Sequence, residues 1–98
     1  MHKHQPMVEI ISVEVLEGLR LKIEFDDGIT KIVDIGARLP DTGLTRPLRD
    51  PEFFRQVKVY PGGDGIFWPN DYDNGADMLR YYAEDEIVGK EEVEHPTN

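Results

Sequence analysis

The stretch WPNDYDNGAD, residues 68–77, holds three carboxylates, Asp71, Asp73 and Asp77. Such a density of oxygen donors is what hard cations such as calcium or magnesium require. Counted from Asp71, however, the sixth position is Ala76 and the twelfth is Tyr82. A calcium loop of the EF-hand kind needs glycine and a bidentate glutamate there, so no metal is expected. The same residues suit a corner between a strand and a helix. Trp68 alternates with Ile66 and is large enough to fill a core. Pro69 stops pairing, and Asn70, Asp71, Asp73 and Asn74 can accept from loop and helix N-terminal N–H groups.

The other candidate chemistries are weaker. PGGDG, residues 61–65, has the glycines of a phosphate-cradling loop but not its Lys-Ser/Thr, and it joins two strands rather than opening a helix. His2, His4 and His95 all fall in the expected frayed ends, where no preorganised proton transfer is possible. Ser12 is the only serine and there is no cysteine, which excludes disulfides, zinc–sulfur sites and the usual serine and cysteine nucleophiles. Twenty acidic residues offer many carboxylate pairs, yet none is marked out by spacing. Neither an enzyme nor a cofactor is expected. Arg38, Arg46, Arg49 and Arg55 gather around one loop and one short helix. On a shared face they could take an acidic group or RNA, but interleaved Asp41, Asp50 and Glu52 predict surface ion pairs.

Periodicity defines the elements that position these groups. Residues 9–16 alternate with Ile11, Val13 and Val15 on one face, and residues 19–25 with Leu19, Leu21, Ile23 and Phe25 inward. Glu17-Gly18 and Asp26-Asp27-Gly28 are the turns, and residues 29–35 give a third strand, completing an antiparallel meander. A loop follows, pinned by Leu39, Leu44 and Leu48. Asp50 as N-cap and Pro51 at the first helical position open a short helix. Residues 57–60 and 66–69 make a β-hairpin, and the stripe Met78, Leu79, Tyr82, Ala83 and Ile87 predicts a C-terminal helix over residues 75–87. The fold class is α+β: a three-stranded antiparallel meander, a short helix, a β-hairpin and a C-terminal helix packed on the sheet. Residues 1–7 read as a disordered N-terminus, residues 8–88 as one domain and residues 89–98 as an acidic flexible tail.

Ninety-eight residues with a net charge of −9 and 39% apolar content describe one ordinary globular domain. Residues 84–98 alone hold six acids and one lysine. Long-range repulsion from phosphate backbones argues against direct nucleic-acid binding. No run is long enough to span a bilayer and no signal-peptide core opens the chain; a cytoplasmic protein is expected.

Several of these features occur together in a known order: FDDG at residues 25–28, IVDI at 32–35, PLRDPEFFRQVKVYPGG at 47–63, WPN at 68–70, Tyr72-Asp73, and Leu79-Arg80-Tyr81. Over residues 8–82 the chain resembles the domain of unknown function family 2442, small bacterial proteins. The resemblance implies a compact α+β domain without established catalysis. It also implies antitoxin-like behaviour toward partners of a second small family, the domain of unknown function 4160. Some relatives carry a helix-turn-helix after this domain; too few residues follow the expected last helix for one here. The expected role is therefore a noncatalytic protein-interaction module with a protein partner, a small basic toxin-like protein. A homodimer is also considered. The contact surface is placed at Arg46, Arg49, Arg55, Trp68, Asn70, Tyr72 and Asp73. Alternatives are a nucleic-acid-associated regulator acting as a dimer or complex, and a small-ligand binder or enzyme with a pocket near Trp68, lined by Tyr72, Tyr81 and Tyr82.

Overall fold

The computed structural model describes residues 8–82 and 86–90, with backbone alone at Tyr82 and residues 86–90. Strands β1 (Ile10–Leu16), β2 (Arg20–Phe25) and β3 (Ile29–Asp34) form the antiparallel meander that alternation predicts. Leu21, Ile23, Phe25 and Val33 are completely buried beneath it. One strand departs from its reading. The β1–β2 register shifts between Ile10 and Ser12, so the buried residue is Ile10, and Ile11 is 59% exposed. An irregularity of one residue moves a side chain to the opposite face, which alternation alone does not reveal.

At the far end of β2, both aspartates of FDDG serve the backbone. Asp26 accepts from the Glu9 amide at 3.0 Å and returns its own amide to the Glu9 carbonyl at 2.9 Å. Asp27 accepts from the Ile29 amide through one oxygen and from Arg80 Nε at 2.9 Å through the other. Beyond β3, Asp34 caps the single-turn helix α1 (Ile35–Arg38) by accepting from the Ala37 amide. In the loop that follows, Leu39 and Leu48 are buried as expected. Leu44 is instead half exposed, and it is the buried Thr45 that holds the loop, its hydroxyl donating to the Pro40 carbonyl.

A 3₁₀ turn (Arg46–Arg49) leads into helix α2 (Pro51–Phe54), opened by Asp50 and Pro51 in the expected roles; the Asp50 carboxylate accepts from the Glu52 amide. Strands β4 (Lys58–Val59) and β5 (Gly65–Phe67) pair as the expected hairpin, but a third strand, β6 (Asp73–Gly75), continues this second sheet. The expected strand-to-helix corner is therefore a hairpin turn.

The C-terminal helix expected over residues 75–87 is present only over its first half, where Ala76 and Asp77 open a short helical segment. A π-helical turn (Met78–Tyr82) is followed by strand β7 (Glu86–Lys90), antiparallel to β3. Three acids at residues 84–86 would stand at the negative end of the expected helix, where they are unfavourable. Ile87-Val88 suits a strand, and β3 would otherwise present an open edge. Lys31, on the core face of β3 and 2% exposed, donates from Nζ to the carbonyls of Leu79 at 2.8 Å and Arg80 at 3.3 Å. These carbonyls are thus tied to β3. Strand β7 includes the first two residues of the expected tail; residues 1–7 and 91–98 lie outside the described residues.

Replacing Lys31 with methionine leaves the stem's volume in place but strips the buried Leu79 carbonyl and the half-buried Arg80 carbonyl of this donor. The expected loss is about 2–3 kcal/mol of stability. It would be read from a lowered urea midpoint with an unchanged slope, and an unshifted midpoint would contradict the role given to Lys31.

Candidate functional site

The hairpin tip between β1 and β2 closes through Glu17, Gly18 and Leu19, with Leu19 held at a φ of 57°. Alternation places Leu19 in the core, but this backbone sets it in the turn, half buried. Together with Val15 and Leu16 it forms one apolar wall of a surface groove of about 340 Å³. Pro51 and Phe54 of α2 supply the opposite wall. Arg49 and Arg55 stand at either end of α2, and Glu17 comes from the hairpin tip. These lining side chains offer apolar contact, forked N–H donors and one carboxylate, that of Glu17.

The arginines are only loosely held. Arg49 donates from Nη2 to the Leu39 carbonyl at 3.3 Å. Arg55 pairs with Glu52 at 3.1 Å and Arg46 with Asp41 at 3.5 Å. All four of those side chains are at least 60% exposed, a setting in which ion pairs contribute little. The expected surface pairing is thus present for Arg46 and Arg55. Arg49 and Arg55 share the groove, and Arg46 is not among its lining residues.

The remaining expected contact residues belong to the β5–β6 hairpin. Trp68 is completely buried, so it neither lies on a surface nor lines a cleft. Its indole donates to the Phe54 carbonyl at 2.9 Å, and its ring lies 5.6 Å from Phe54 and 5.9 Å from Tyr72. A pocket formed by Trp68 is thereby replaced by filled core. Trp68 and Tyr72 are paired by the Trp68 amide on the Tyr72 carbonyl, and the Asp71 amide returns to the Trp68 carbonyl, both at 2.9 Å. The loop between them has Asp71 at a φ of 71°. A three-residue hairpin loop ending in a left-handed residue is a recurrent solution, and aspartate tolerates that conformation. Asn70 reaches from the loop to the Leu44 carbonyl at 2.7 Å.

Asp73 accepts from the Tyr60 hydroxyl at 2.8 Å, and the Tyr60 ring stacks on Phe67 with centroids 4.4 Å apart. That bond raises the Tyr60 pKa, helped by partial desolvation and by the charges of Asp73 and Asp71. Among the described residues, no three His, Cys, Asp or Glu side chains converge as a metal site would require.

PGGDG is a structural crossing. Gly63 adopts a φ of 78°, and a Cβ there would stand 2.8 Å from the Ile10 carbonyl oxygen. A Cβ on Gly65 would meet the Asn74 carbonyl. The glycines therefore let two backbones approach, β1 at one and β6 at the other.

The groove's hairpin wall escaped the sequence reading, although one signal was present: Leu16 and Leu19 flank a glycine turn, where a solvated tip would ordinarily be polar. Fold and groove together define a small mixed α+β domain of two antiparallel sheets. The chain belongs to the family described as Protein of unknown function (DUF2442), which it matches over residues 10–85. No curated protein and no solved structure matches it. Among the described residues, no helix is long and apolar enough to cross a membrane.

Two outcomes are expected of this region. Gly62 also has a positive φ, of 88°, but open space around it. Alanine at 62 should cost about 1 kcal/mol, from left-handed strain alone. Alanine at 63 should cost about 3 kcal/mol or more, since backbone must also move; thermal melts of the two variants compare them. For Tyr60, a raised folded-state pKa means the bond's stabilisation is fully present below the usual tyrosine value of about 10 and is lost as pH rises through the raised value. Absorbance titration at alkaline pH should show a late phenol, which Asp73→Asn brings earlier.

Proposed function

We propose that this chain is a noncatalytic, cytoplasmic protein-interaction module acting as the antitoxin-like partner of a small toxin. The observation that carries the reading is the surface groove between the β1–β2 tip and α2, whose walls are leucine, valine and proline side chains left partly open beside the buried Phe54. Apolar walls with a few placed polar groups are the usual composition of a recognition site. A net charge of −9 adds long-range attraction for a basic partner. The family resemblance supports the toxin–antitoxin setting.

Co-expression provides the test. An antitoxin-like role requires a small basic protein encoded beside this chain that arrests growth alone, is neutralised by the wild-type chain, and co-purifies with it at one-to-one stoichiometry. Leu16→Asp, placed in the groove at the end of β1, should weaken the complex at least about tenfold through loss of one apolar contact and introduction of a charge. Unchanged circular dichroism would show that the fold survives. If the wild-type chain neither rescues growth nor co-purifies, the proposal fails.

A further inference from the structure

We infer that the groove takes an acidic–apolar segment of a partner protein, seating a large apolar side chain between its walls and a carboxylate on Arg49 and Arg55. This deepens the interaction-module reading and rests on it.

The first ground is charge. Acidic residues outnumber lysine and arginine 20 to 11 in this chain, yet the groove reverses that balance: Arg49 and Arg55 against Glu17 alone. At physiological salt the Debye length is about 8 Å, so a docked segment responds mainly to the charges beside it rather than to the distant acids. The second ground is donor capacity. A guanidinium carries five N–H donors in a fixed fork. Arg49 gives one nitrogen to the Leu39 carbonyl at 3.3 Å, and Arg55 meets Glu52 in an exposed contact between neighbouring turns. An incoming carboxylate held against apolar walls forms a stronger, better desolvated pair than that exposed one.

The third ground is the shape of the site. About 340 Å³ lies at the lower end of the range that accepts compact ligands. It suits one large aliphatic or aromatic anchor, the kind of side chain that dominates interface energetics. A phosphate backbone would satisfy the arginines equally well, but it would leave the leucines and Pro51 unused and set many charges against a −9 protein. The segment inferred here uses both halves of the groove. A partner that is basic overall and docks through an acidic–apolar segment meets opposite signs at two places, which fixes orientation as well as attraction.

Fluorescence anisotropy with synthetic peptides tests this on the full chain. A labelled peptide with an Asp-Leu-Phe-Asp core should bind, and its Asn-Leu-Phe-Asn counterpart should bind about tenfold more weakly. In the Arg49→Gln/Arg55→Gln variant that difference should vanish, because the two changes remove one interaction from opposite sides. These arginines are surface residues, so the variant keeps its fold; the Asn peptide's unchanged affinity checks this. Equal binding of both peptides to the wild-type chain, tighter binding of a Lys-Leu-Phe-Lys peptide, or no saturable binding of any of them would overturn the inference. The co-expression complex distinguishes the two levels. If it forms while the acidic peptide fails, the interaction-module reading stands and the groove assignment falls. Peptide discrimination without any complex keeps the groove assignment and removes the antitoxin-like role.

Discussion

The buried indole N–H of Trp68 sets the terms for one side of this molecule. A donor removed from water without a partner costs free energy comparable to a lost hydrogen bond, so an acceptor must be brought to it. The Phe54 carbonyl, at the end of α2, is that acceptor. One bond therefore fixes the distance between the β5–β6 hairpin and the short helix. It also places Phe54 against the tryptophan ring on one side and in the groove on the other. A four-residue helix has almost no stability of its own. Its position is inherited from Trp68 beneath it and from the Asp50 cap before it.

Most of the residues by which the family can be recognised have comparable duties. Asp26 and Asp27 tie the β2–β3 turn to Glu9 and Arg80. Leu48, Phe54, Trp68 and Leu79 fill the core, Asn70 anchors the 39–45 loop, and Gly63 lets the second sheet lie against β1. The motif is thus largely a description of architecture. Arg49 and Arg55 differ from these neighbours, since both line the groove while the residues between them are committed to α2.

Legibility of the fold in the sequence followed the range of the determining interactions. The β1–β3 meander was readable because alternation and glycine turns are local, and so was Asp50-Pro51 as a helix start. Ile11 was misassigned because a register shift leaves no compositional trace. Strand β6 was hidden behind Pro69 and Asn70, which read as the end of pairing but are the loop of another hairpin. The expected C-terminal helix had a genuine apolar stripe, yet Lys31 claims the carbonyls of Leu79 and Arg80, and β3 offers an edge to residues 86–90. Both facts become visible only once distant segments are adjacent. The arginines of the groove were found in sequence, whereas its hairpin wall was not, because Leu19 fits the inward phase of β2 while its backbone places it in the turn.

That long return of the chain has a consequence for how the protein is made. Lys31 meets Leu79 across 48 residues, and Asp27 meets Arg80 across 53. Contacts so distant in sequence carry the largest loop-closure cost and form late. On a ribosome, β1, β2 and β3 emerge and pair well before residues 86–90 exist. For that interval β3 is an uncovered strand edge with a lysine on its core face. A charge directed inward from an edge strand discourages the wrong chain from adding there. The same side chain that later closes the fold thus guards the nascent sheet while it waits for its last strand.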